Sequence, residues 1–175
     1  MDKLKKYFFK RYIRKISHTP RYISWDDAST VVALFHSSTS DIAEAEKIIA
    51  HLTAQGKQVA AYYFNANQRR PIASSLKQIH ILTTKDFNLL GRPCRNRVVL
   101  AESANIVLDL TMYKTLAMSY IAVTIESAMI CGAAPQADSV MRYDFQIDIE
   151  QNTENTPTNL LSQIEKYLKI IKSEK

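Results

Sequence analysis

At 175 residues and 20.0 kDa, 46% of it hydrophobic, the chain is long enough to bury one ordinary core and needs no second domain. Two cysteines, Cys94 and Cys131, with no CxxC and no histidine at ligand spacing, exclude a disulfide framework and a zinc ribbon and fit reduced thiols in a cytoplasmic compartment. The net charge of +6 is concentrated at one end: residues 1–22 carry eight basic groups against Asp2, while the remainder holds fifteen basic and sixteen acidic groups, so an electrostatic partner is met by the N-terminal segment.

In chain order, that segment comes first. At about 100° per residue, Leu4, Phe8, Phe9, Tyr12, Ile13 and Ile16 fall on one half of a helix, and Lys3, Lys6, Lys10, Arg11 and Arg14 on the other. The pattern predicts an amphipathic basic arm over 1–22, stopped near Pro20, ahead of a single domain over 23–175. Lys6 and Lys10 bound Tyr7, Phe8 and Phe9, so the apolar core of a secretory signal is missing, although an Arg-rich, acid-poor start also fits an organelle transit peptide. Ser29 to His36 reads as a strand buried on both faces. A Ser/Thr-rich turn follows, then Asp41 as N-cap with Glu44 three residues on, and apolar residues at helical spacing up to Gly56. Gln58 to Phe64 repeats the strand pattern, which predicts a right-handed βαβ crossover with parallel strands.

After a polar loop with Asn65, Asn67, Arg69 and Arg70, Lys77 to Thr83 reads as a third strand, and Pro93 to Ala104 as a short helix. Asn105 to Leu110 is a fourth strand. Leu116 to Cys131, apolar on nearly every side, predicts one interior helix capped by Gly132; Thr115 to Ala134 has the length of a membrane span, but Glu126 near its middle argues for burial in protein. Tyr143, Phe145, Ile147 and Ile149 alternate with polar residues, as in an edge strand, and Thr156-Pro157 opens a last amphipathic helix. The whole predicts an α/β fold: a three-layer, Rossmann-like or flavodoxin-like, mainly parallel sheet of about five strands.

Open parallel sheets bind ligands beyond the carboxyl ends of their strands. That rule selects His36, Ser38, Thr39 and Ser40 after the first strand, where hydroxyls and helix amides suit a phosphate but also any N-cap, with Asp41 repelling an anion. It also selects Asp109 and Thr111 at the end of the fourth strand, where a carboxylate can accept a ribose hydroxyl, serve as a base, or simply receive backbone amides. Glu126 is either a buried acid with a raised pKa or part of a solvent stripe, and the Arg69/Arg70 pair is a phosphate fork or solvated loop charge. His51 and His80 read as structural. No GxGxxG, P-loop, GxSxG or HExxH occurs, and three glycines cannot build a glycine-rich cradle.

The segment ALFHSSTSDIAEAEKII resembles the hydroxyl-rich phosphate loop of flavodoxins over the first βα unit, without that loop's glycine. The ANIVLDLT strand, the apolar segment ending ICG, the YDFQIDI strand and the closing helix together resemble a family of small bacterial α/β proteins known only as a domain of unknown function, over roughly Trp25 to Ile171. That resemblance implies the fold and a bacterial cytoplasmic origin, and no activity. Two functions are therefore expected. One is a non-catalytic binding module whose arm, through Lys3, Lys6, Phe8, Lys10, Arg11 and Arg14, meets an anionic surface. The inner membrane leaflet is preferred to nucleic acid because the body lacks an aromatic RNA platform. A homodimer or the domain itself would cover the same aromatic residues. The alternative is an enzyme or sensor taking a nucleotide, sugar-phosphate or flavin at the His36, Ser38, Thr39, Asp109 crevice. No particular cofactor and no metal site is indicated.

Overall fold

A computed structural model describes residues 3–67, 71–112, 115–134, 141–148 and 156–170. They form helix α1 (Lys3–Ile13), strand β1 (Thr30–His36), helix α2 (Ile42–Ala54), β2 (Gln58–Phe64), β3 (Ile79–Leu82), β4 (Ser103–Asp109), α3 (Leu116–Thr124), β5 (Glu126–Ala133), β6 (Phe145–Ile147) and α4 (Pro157–Leu168). The strands make one sheet in the order β3-β2-β1-β4-β5-β6, every pairing parallel. This is the doubly wound α/β order, with the chain reversing direction across the sheet between β1 and β4. It has six strands where the sequence predicts about five.

The central strands are apolar on both faces because helices cover both. Val31, Ala33, Phe35, Ala61, Tyr63, Ile106 and Leu108 face α2, α4 and Trp25 in one core, whereas Val32, Leu34, Tyr62, Phe64 and Val107 face α3 and α1 in the other. Asp41 caps α2, its carboxylate accepting the Glu44 amide at 2.7 Å, as the sequence predicts. Thr156 caps α4 through the Asn159 amide, with Pro157 in the first turn. His51, on α2, pairs with Glu165 at 2.9 Å, and the His80 ring stacks on Tyr62.

Two predicted helices are not formed as expected. Leu116 to Cys131 is divided: α3 ends at Thr124, Ile125 is extended, and Glu126 opens β5, with Gly132 inside the strand and not capping a helix. An apolar segment satisfies an interior helix and a buried strand equally well, and the β-branched run Val123-Thr124-Ile125 weakens the helix where it ends. Glu126, accordingly, is an exposed residue at a strand start and lies on no helix. Pro93 to Ala104 holds no helix either. Pro93 bridges Phe87 in antiparallel fashion, residues 95–97 form a single turn in which the Arg97 and Val98 amides donate to the Cys94 carbonyl, and Val98 and Leu100 pack their side chains on the α3 face, so the turn is not continued into a helix. Arg69, Arg70 and Ile149 lie outside the described residues.

The N-terminal helix is docked. Phe9 is 0% exposed and meets the Tyr120 ring of α3 edge-on at 4.8 Å. Tyr12 bonds Thr124 through its hydroxyl at 3.0 Å, and the Arg92 guanidinium lies over the Tyr12 and Tyr120 rings. Beyond α1, the chain crosses from this face to the other: His18 pairs with Asp144 at 2.7 Å, the Arg21 amide donates to the Ala128 carbonyl, and Trp25 enters the core beneath α2 and α4.

Candidate functional site

The carboxyl ends of β1 and β4 lie side by side at the point where the strand order reverses, so His36, Thr39, Asp109 and Thr111 come together as the sequence predicts. Of the eight buried polar or charged side chains among the described residues, His36, Ser40, Asn65, Asp109 and Thr111 stand at this end of the sheet, an uneven distribution that burial cost alone would not favour. Asp109 is satisfied by three donors. Its Oδ1 accepts the Thr111 amide at 3.1 Å and the Thr111 hydroxyl at 2.6 Å, and its Oδ2 accepts the Tyr143 hydroxyl at 2.6 Å. The Thr39 hydroxyl donates to the Thr111 carbonyl at 2.6 Å, which ties the turn after β1 to the turn after β4.

His36 sits within this seam with its Nδ1 accepting the Ser38 amide at 3.0 Å, a bond that leaves the proton of the neutral ring on Nε2. Burial pushes its pKa down, partly opposed by the nearby Asp109 charge, so the ring is held as the neutral imidazole. Ser38 is exposed and contributes its backbone. Ser40 is buried, its hydroxyl on the Asp41 carbonyl and its own carbonyl accepting the Tyr63 hydroxyl at 2.7 Å. Asn65, at the end of β2, accepts the Asn67 amide.

Tyr143 is the residue that strand-end reasoning misses, because its place in an alternating stretch reads as an edge-strand position. Its ring lies across Gly132, where a Cβ would fall 2.7 Å from Cε1, and its pKa is raised by burial first and by the Asp109 carboxylate next, which keeps the phenol protonated. A glycine in the strand beside Asp109, followed eleven residues later by a tyrosine, was the available signal. The cluster offers a neutral imidazole, a neutral phenol, two hydroxyls and one carboxylate. The described members direct these hydrogen bonds at one another. Two clefts of ≈ 600 and ≈ 830 Å³ lie elsewhere, beside the 16–21 linker and the first residues of β5. Among the described residues no group of three His, Cys, Asp or Glu side chains could hold a metal.

The basic arm presents a second candidate surface. Lys3, Leu4, Tyr7, Lys10, Arg11 and Arg14 fall within an arc of about 120° on α1 and its final turn, and all six are exposed. The helix is rolled relative to the sequence-derived wheel: Leu4, assigned to the apolar half, is 57% exposed and Tyr7 58%, while Phe8 and Lys6 are half-buried. Phe9, Tyr12 and Ile13 decide that roll because α3 receives them. No helix among the described residues is long and apolar enough to cross a membrane.

No curated protein and no solved structure matches the chain. A family model matches residues 2–171, nearly the whole length, and the chain belongs to that family, described as a family of unknown function (DUF6913).

Proposed function

We propose that this protein is a cytoplasmic binding module held at the inner leaflet of a membrane by the outward face of α1. One observation carries the reading: Phe9 and Tyr12 of the arm are used in docking to α3, yet Lys3, Lys10, Arg11 and Arg14 remain exposed together, with Leu4 and Tyr7 between them and no acidic residue from Lys3 to Lys15. Cations interleaved with an aliphatic and a phenolic side chain suit a headgroup layer, where charge meets lipid phosphate and the apolar parts enter the acyl boundary. A nucleic-acid partner would take the same charges but gives Leu4 no role.

Co-sedimentation of the full chain with phosphatidylserine-containing and neutral vesicles, at two salt concentrations, tests this. The comparison is a Lys3→Glu, Lys10→Glu, Arg11→Glu, Arg14→Glu variant, since deletion of the arm would also remove Phe9 from the core. At about 1 kcal/mol per cation near an anionic surface, loss of the four positive charges alone lowers low-salt partitioning on the order of a thousandfold, and the four carboxylates add repulsion to it. Equal binding by the variant, or equal binding to neutral vesicles, removes the proposal.

A second reading, a small-molecule site for a nucleotide, sugar-phosphate or flavin at the β1/β4 reversal, is supported by the concentration of buried polar side chains there. A thermal-shift screen with these three ligand classes tests it, and a response retained by His36→Gln together with Thr39→Val counts against it.

A further inference from the structure

Residues 88–92 form a tight turn that the arm alone does not account for. The Asn88 side-chain oxygen accepts the amides of Leu90 at 2.9 Å and Arg92 at 3.1 Å, the Asn88 amide donates to the Arg92 carbonyl, and Gly91 takes the left-handed φ of +81° that the turn requires. With its backbone closed in this way, the turn has little freedom to fold its tip onto the protein. At the tip, Leu89 is 90% exposed, the most exposed of the large hydrophobic side chains described.

A single exposed leucine is ordinary. Three features set this one apart. The turn is fastened to the docked side of the helix whose outward face is the proposed membrane surface, because Arg92 lies 4.8 Å from the Tyr12 ring of α1 and 5.6 Å from that of Tyr120, and Gly91 lies close to Leu116 at the start of α3. Its own segment is basic, with Lys85, Arg92, Arg95 and Arg97 against Asp86 alone, and the Asp86 carboxylate is turned onto the Thr83 amide and hydroxyl. The charge of this segment therefore continues that of α1 on the same side of the sheet. Finally, a stiff turn loses little conformational entropy on insertion, so burial of its leucine is retained as binding.

We propose that the 88–92 turn is a second point of contact with the same anionic phospholipid bilayer, and that the Leu89 side chain enters the acyl boundary while α1 holds the headgroups. The inference rests on the membrane reading given above and adds to it the depth and the orientation of docking.

The test uses tryptophan as a depth probe in the full chain. The native Trp25 is 1% exposed and supplies a fixed background. Leu89→Trp is compared with Ile170→Trp, a site 72% exposed just beyond α4 on the opposite face. On vesicles of phosphatidylcholine and phosphatidylserine carrying acyl-chain bromines, the Leu89→Trp signal shifts to the blue and is quenched, and the Ile170→Trp signal is unchanged. Leu89→Asp, with its melting temperature unaltered, binds these vesicles roughly tenfold more weakly or worse, as expected for losing a buried leucine from the bilayer.

Sedimentation of the Leu89→Trp chain with the vesicles, but without quenching of residue 89, overturns the inference and leaves α1 as the contact. Equal quenching at residues 89 and 170 overturns the orientation. No vesicle binding by any variant, with or without binding to RNA, removes both the inference and the reading beneath it.

Discussion

Replacing Gly132 by alanine tests the packing that closes the strand-end cluster. Gly132 is in ordinary strand backbone opposite Asp109, so the cost lies in contact and not in conformation. The new Cβ would stand 2.7, 2.9 and 3.0 Å from three atoms of the Tyr143 ring, closer than carbon atoms tolerate. The ring is not free to yield, because its hydroxyl is fixed on Asp109 at 2.6 Å. Overpacking of this kind costs about 1–3 kcal/mol. If the ring swings out instead, a buried carboxylate loses a donor, worth about 1.5–3 kcal/mol for a charged partner. Either route costs about 1–3 kcal/mol, which lowers the melting temperature of a chain this size by roughly 2–12 °C. Urea and thermal denaturation of Gly132→Ala, Tyr143→Ala and the double variant measure it as a cycle. In the Tyr143→Ala background the glycine substitution should cost less than about 1 kcal/mol, since the opposing ring is gone. An undiminished cost there, or a single-variant loss under about 0.5 kcal/mol, would refute the account of Gly132 as the seat of Tyr143.

Phe9→Ala should cost about 3–5 kcal/mol, the usual range for a fully buried phenylalanine, and expose residues 14–24 to limited proteolysis; a melting temperature within about 1 °C of the parent would mean that the arm is no part of the core. His36 lowers stability in acid. Its folded pKa lies below the ordinary 6.5, so the unfolded chain binds the extra proton as pH falls from 6.5 toward the folded value. Denaturation midpoints should therefore decline over that window, and His36→Gln should flatten the decline; an identical slope in the variant assigns it to other groups. Thiol labelling should find Cys94 reactive in the native state and Cys131 only on unfolding, because Cys131 is buried in β5 and burial pushes its thiol far up. Lys57→Met, by removing the donor to the Trp25 and Ala28 carbonyls at 2.7 and 2.8 Å, should cost about 1–3 kcal/mol and shift Trp25 fluorescence; unchanged stability and emission would show the contact to be dispensable.

What could be read from the residues follows from which physical signals were local. β1, α2 and β2 are legible because a doubly apolar strand, an Asp41 cap and a closing glycine all occur within a few residues of the elements they define. Asp109 and His36 were found together because strand ends share one edge of a parallel sheet, a rule that needs no contact information. The α3/β5 boundary was not legible, since the change from helix to strand at Ile125 carries no glycine or proline, Thr124, Glu126 and Ser127 around it also fit the solvent side of a continuing helix, and pairing with β4 and β6 is what extends Glu126 to Ala133. The roll of α1 was hidden for a similar reason. A helical wheel gives the periodicity of the arm, but the rings of Tyr120 and Arg92's guanidinium decide which side turns inward, and both come from distant parts of the chain. Tyr143 escaped because its importance lies in a missing Cβ on a neighbouring strand.

The docking of α1 also changes what its charge can do. A basic segment on a flexible tether contributes local attraction and leaves the domain free to tumble beside a surface. Here Phe9, Tyr12 and Ile13 complete the second core, while His18 and Arg21 hold the following linker against Asp144 and β5. Lys3, Lys10, Arg11 and Arg14 are thus fixed relative to the sheet, and engagement of these four charges by a bilayer would set the orientation of every other surface. The same coupling runs in reverse: a substitution in the core beneath α1, such as Tyr120→Ala, removes no charge but loosens the geometry in which the charges act together. Weaker, less cooperative vesicle binding by that variant, at unchanged net charge, would distinguish an oriented helical platform from a polybasic tail, whose affinity depends only on how many cations it carries.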